Sequence, residues 1–188
     1  VSAIPDEPAS DDRPALDFLR SHGAAELAHP GGTLLEHLVR VRERLADWGA
    51  PREVCLAGLC HAAYGTDGFP AALLPTTERG TLAELIGDRA EALVYLYASC
   101  DRALSYPRLG ESGRPLFLDR FTGSEHRVEA EELRAFLAIT AANELDVFAH
   151  NAELAARYGA ALHRLLAPLH DLLPPAARRE LDTLGSER

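Results

Sequence analysis

Two histidines, His37 and His61, carry the first chemical signal in this sequence. His37 sits in residues 33–48, where Leu34, Leu38, Val41, Leu45 and Trp48 recur at steps of four and three, the spacing of one buried helical face. His61 lies near the end of a stretch, residues 54 to about 64, that is apolar almost all round, as an interior helix is. Gly49-Ala50-Pro51 supplies the tight turn between them. Imidazoles on two adjoining buried helices suit proton transfer near neutral pH or the binding of a metal ion. The plain alternative is a pair of hydrogen-bonded core histidines.

Neighbouring residues extend this set. Tyr64 follows His61 by three positions, which predicts one shared helical face, and Gly65 lets the chain leave so that Thr66 and Asp67 line a pocket mouth. Histidine, tyrosine and a carboxylate are the parts of a general acid/base site, so His37, His61, Tyr64 and Asp67 are the expected catalytic residues. Asp101, Arg102, Asn143, Glu144 and Trp48 are the expected substrate-binding residues. Asn143, Asp146 and His150 recur on one helical face, and His37, His61 and Asp146 form the set that would hold one divalent metal ion. The cofactor expectation is therefore none or one such ion. His29, ahead of Pro30-Gly31-Gly32, is within reach of the site but carries no independent signal, and His22, His126, His163 and His170 read as surface or loop residues.

The elements that must position these residues are helical. Residues 1–12 are acidic and contain proline, which predicts a loosely attached tail, and residues 13–188 read as a single domain. A short helix is expected over 13–21, with Asp12 as its cap. Thr33 and Glu36 form a T-x-x-E capping box that fixes the start of the His37 helix. Thr81 with Glu84, and Asp88 with Glu91, promise two further starts, the second helix running to about residue 103. Residues 104–127 are broken by Pro107, Gly110, Gly113 and Pro115 into a long loop of the kind that is often functional, with an extended piece at 116–118. Helices over 129–150, 153–173 and 176–184 complete an all-α bundle of about six to eight helices.

Bulk properties narrow the partners. The formal charge is −10 and no basic run exists, so neither nucleic acid nor an anionic membrane is an expected partner. No apolar run approaches the length of a membrane span and no signal-peptide pattern opens the chain, which makes a cytoplasmic location the expectation. A small molecule is the expected partner, with a homo-oligomer left open. All 19 basic residues are arginine, so Schiff-base chemistry and a Walker lysine are excluded. The arginine-only set, with its alanine, proline and glycine richness, suggests a GC-rich bacterial gene. Cys55, Cys60 and Cys100 lie in apolar helical stretches without C-x-x-C spacing and read as small buried hydrophobes.

His37-Leu-Val-Arg-Val, followed by Ala57-Gly-Leu-Cys-His61-Ala62 and then Ala142-Asn143-Glu144-Leu145-Asp146, resembles the HD-domain superfamily over roughly residues 33–150. The resemblance implies an all-helical fold and metal-dependent phosphohydrolase activity. It also implies a motif of one histidine, a His-Asp pair and a later aspartate in an Ala-Asp-x-Leu setting. Ala62 and Asn143 stand where that motif has its aspartates, and neither replaces a carboxylate on a hard divalent ion. The segment His61-x-x-Tyr64-Gly-Thr-Asp67-Gly-Phe69 is similar to one in a set of bacterial HD-like proteins, some of them near biosynthetic genes.

The expectation is an HD-like scaffold with a degenerate metal centre, acting on a small molecule by proton transfer. Cyclisation, dehydration, isomerisation or non-phosphate hydrolysis in a biosynthetic pathway would fit. The alternatives are a metal-dependent phosphohydrolase with a substitute ligand and a non-catalytic binding module.

Overall fold

A computed structural model describes residues 12–111 and 114–186 of the chain. Among these, nine α-helices and four very short strands are present, somewhat more helices than the periodicity predicts because one is a single turn. The expected tail falls on residues 1–11, outside the described residues. Asp12 itself is no part of a loose tail. It is buried, and instead of capping the first helix its carboxylate pairs with Arg42 at 2.6 Å.

Helix α1 spans Arg13–Ser21, and a hairpin of β1 (Ala28–His29) and β2 (Gly32–Thr33) leads into α2, Leu34–Asp47. The Thr33 and Glu36 capping box forms as expected, with both reciprocal bonds present. After the turn, α3 covers Arg52–Cys60 and stops before His61, so residues 61–64 are a turn rather than a further round of helix. Gly58 of α3 faces Leu45 of α2 so closely that a Cβ there would overlap the leucine side chain. That missing side chain lets the two helices approach and brings their histidines together.

Helices α4 (Arg79–Ile86), α5 (Asp88–Ser99) and the one-turn α6 (Arg102–Ser105) follow. Neither predicted capping box forms here. Thr81 lies inside α4, and Glu91 is buried in bonds from Tyr64 and Arg79. A second hairpin, β3 (Leu116–Leu118) with β4 (Glu125–Arg127), organises the expected long loop. It is anchored rather than free: Phe117 is fully buried against Phe136, and Asp119 accepts from Tyr95 at 2.8 Å.

The long helix α7 (Ala130–His150) is capped by a Glu129 and Glu132 box that the sequence reading missed. Helices α8 (Ala152–Leu166) and α9 (Pro175–Ser186) close the bundle. The core gathers α2, α3, α5 and α7 around Tyr97, Phe136, Leu137 and Ile139. Cys55, Cys60 and Cys100 are free and buried in it, and burial pushes Cys60 and Cys100 up to about 12. They are inert thiols.

Candidate active site

The α2–α7 contact places His37 and Arg40 opposite Asn143, Glu144 and Asp146, while α3 adds His61 from the side. His37 is completely buried. Its Nδ1 lies 2.7 Å from Asp146 Oδ2 and its Nε2 lies 3.1 Å from Asn143 Oδ1. The Asn143 amide nitrogen donates to Glu144 Oε1 at 3.1 Å, which turns its oxygen towards the imidazole. With an oxygen acceptor at each end, a ring that satisfies both carries a hydrogen on both nitrogens.

Asp146 is held from a second direction. Arg40 donates from Nε to Oδ1 at 2.8 Å and from Nη2 to Oδ2 at 3.0 Å, a two-point fork. Burial alone would raise this carboxyl, but the bonds from His37 and Arg40 overcome it and hold it well below the usual carboxylate range. Arg40 also donates to the Pro30 carbonyl at 3.3 Å. The same guanidinium thus ties the first hairpin to the carboxylate. Gly31, at φ +83°, packs against the His150 ring where a Cβ would come within 2.6 Å.

His61 follows a different logic. Its Nδ1 is 2.7 Å from the Gly58 carbonyl, which can only accept, so the hydrogen is on Nδ1 and Nε2 presents a lone pair. Its ring meets His37 edge-on at 5.3 Å. His29, on the hairpin, stacks on His37 with ring centroids 4.0 Å apart, and its buried Nδ1 has no hydrogen-bond partner. Burial, reinforced by His37, lowers His61 to about 3 and His29 to about 4. Both rings are therefore neutral near pH 7.

These groups open on a cavity of about 440 Å³, within the usual range for small-molecule sites. Arg102 lines it, bonded to Glu144 Oε1 and to the Tyr97 hydroxyl, each at 3.1 Å. Leu34, Phe69, Phe148 and Leu154 form its apolar wall, and Tyr158 stands exposed at its edge. Of the expected residues, His37, His61, Arg102, Asn143 and Glu144 meet here. His29 joins them although only its place in the chain hinted at it.

Four expected residues do not meet here in the expected roles. Tyr64 is absent from the lining and donates to Glu91 at 2.8 Å, because α3 ends at Cys60 and the i, i+3 relation to His61 is lost. Asp67 is exposed and accepts from the Arg102 backbone N–H at 2.9 Å, and Asp101 caps the same short helix through Leu104 N–H. Trp48, at the far end of α2 from His37, donates to Glu180 at 2.8 Å and borders a separate cavity of about 940 Å³. Among the described residues of 104–127, none lines the site.

The metal expectation is tested by the donors. Both oxygens of Asp146 are committed to Arg40 and His37, both nitrogens of His37 face oxygens, and Ala62 offers no ligand at all. Among the described residues no group of three or more His, Cys, Asp or Glu side chains is arranged to hold an ion. His37, His61 and Asp146 do not form a ligand set, and the donors present do not fit the metal that the fold implies.

A family model described as "Domain of unknown function (DUF6817)" matches residues 18–102. It covers His29, His37, His61 and Arg102 but none of α7. No curated protein sequence matches the chain. Among solved structures, the chain is similar to a metazoan ortholog of SpoT, described as hydrolysing ppGpp and playing a role in starvation responses. The TM-score is 0.59 at 14% identity, with 95% of this chain and 96% of that one covered. At that identity the likeness is one of fold, and the chain has the all-α, HD-like architecture. Among the described residues no helix is long and apolar enough to cross a membrane.

Proposed function

We propose that this protein is a small-molecule enzyme that works by proton transfer without a resident metal ion. The observation that carries the reading is the buried His37 with Asp146 on one nitrogen and Asn143 on the other, 2.7 and 3.1 Å away. Asp146, itself held by Arg40, keeps the ring oriented through Nδ1, and the Asn143 oxygen accepts at Nε2, so His37 Nε2 is the donor at the cavity wall. A substrate oxygen that displaces the Asn143 amide would receive that proton. Return of a proton to the same nitrogen, from substrate carbon or from an attacking group, closes the cycle without a second titrating base.

His61 and His29 are too weakly basic to store a proton near pH 7 and serve as neutral acceptors that orient the substrate. Isomerisation, cyclisation, dehydration and non-phosphate hydrolysis all fit this single-acid arrangement. Nitrogen-15 spectra of the histidine rings test it in the free protein. His37 is expected to carry two hydrogens at pH 7 while His29 and His61 carry one each. A singly protonated His37 overturns the reading.

A second reading, metal-dependent hydrolysis of a phosphorylated small molecule, is favoured by the fold likeness to a ppGpp hydrolase. Metal analysis of the purified protein separates the two. Stoichiometric metal, whose removal by chelator shifts the His37 and His61 ring signals, selects the hydrolase.

A further inference from the structure

We infer that the cavity takes an uncharged, partly apolar molecule that presents a hydroxyl or N–H group to His61 Nε2, and does not take a phosphate ester. This rests on the acid/base reading above and names its substrate class. The first ground is the His61 tautomer. With Nδ1 donating to the Gly58 carbonyl at 2.7 Å, Nε2 has a lone pair, and among the described residues no bond to it is seen. Only a hydrogen-bond donor on the ligand satisfies that atom. His29 lines the same wall, but its Nδ1 is sealed from solvent, so the polar contact offered to a ligand is the one at His61 Nε2.

Charge supplies the second ground. The lining groups able to carry positive charge are Arg102 and His37, and each already has a carboxylate, Glu144 at 3.1 Å and Asp146 at 2.7 Å. A dianionic phosphate meets no cation free to pair and a Glu144 carboxylate at close quarters, inside a chain of formal charge −10. The remaining wall of Leu34, Phe69, Phe148 and Leu154 is apolar. It rewards a hydrocarbon or aromatic body rather than a second polar group.

Three probes that share a phenyl group separate the possibilities: 2-phenylethanol, which carries a donor; ethylbenzene, which lacks one; and phenyl phosphate. Binding is followed on the intact protein through the His61 Nε2 nitrogen signal. 2-Phenylethanol is expected to bind at about 1 mM, to move that signal, and to exceed both other probes about tenfold or more. Equal or tighter binding of phenyl phosphate, or no response to 2-phenylethanol, overturns the inference. Glu144→Gln removes one carboxylate without changing shape and is expected to strengthen phenyl phosphate binding about tenfold; an unchanged affinity overturns the charge argument. The His37 ring is read before any probe is added. A failed probe pattern with a doubly protonated His37 sinks only the substrate class.

Discussion

His37 and His61 are the same residue type about one ring apart, yet their hydrogen-bond partners give them opposite tasks. A carboxylate and an amide oxygen flank the first, while a backbone carbonyl leaves the second with an open lone pair. Asp146→Asn removes the charge that sets the first task and leaves Arg40 and His37 facing each other without it. Breaking such a buried ion pair is expected to cost about 3–5 kcal/mol, read as a fall in the urea midpoint, with loss of one His37 ring hydrogen in the nitrogen spectrum. Tyr64→Phe has a different signature. Its hydroxyl serves Glu91 rather than the cavity, so a loss of about 1 kcal/mol in stability is expected, with probe binding at His61 unaltered. A change in that binding would return Tyr64 to the site.

At the scale of elements, the close crossing of α2 and α3 decides whether the imidazoles meet. Gly58→Ala would push a methyl group into Leu45, which is fully buried and cannot swing away. Overpacking of this kind costs about 1–3 kcal/mol, measured by chemical denaturation, and the nuclear contacts between the His37 and His61 rings should weaken with it. The α2–α3 pair was legible in the sequence because its signals are local: a capping box, an apolar period and a Gly-Ala-Pro turn. The placement of Asn143 and Asp146 on one face of α7, both against His37, was legible in the same way, through helical spacing. His29 was not, since a two-residue strand has no period and its place is set by Arg40 reaching the Pro30 carbonyl. Tyr64 was misplaced because the spacing rule assumes a helix, and the helix stops one residue before His61. Trp48 was misplaced for another reason: it lies near the apolar face of α2 but a whole helix length from the histidine on that face.

Across the whole molecule the buried neutral imidazoles tie stability to pH. His29 and His61 titrate at about 4 and about 3 in the folded chain and near 6.5 when unfolded. Between those values the unfolded chain binds more protons, so acid favours it. The contribution of these two rings is therefore expected to be level above about pH 7 and to fall as pH drops from about 6.5 towards 4. Below the ordinary carboxylate range the depressed Asp146 adds a further loss, because its unfolded form takes up a proton first. Melting temperature against pH checks this. A His61→Phe variant that still folds should lose part of the slope between pH 6.5 and 4, and an unchanged slope would mean the ring is charged in the native state.

Arg40 holds the Asp146 carboxylate with one edge and the turn that carries His29 with another. Because a single planar group spans both, the entrance wall and the acid behind it are mechanically one part. A guest that levers the hairpin outward strains the fork on Asp146 and so alters how firmly His37 keeps its hydrogens. By thermodynamic reciprocity, drawing a hydrogen from His37 must change how tightly that guest is gripped.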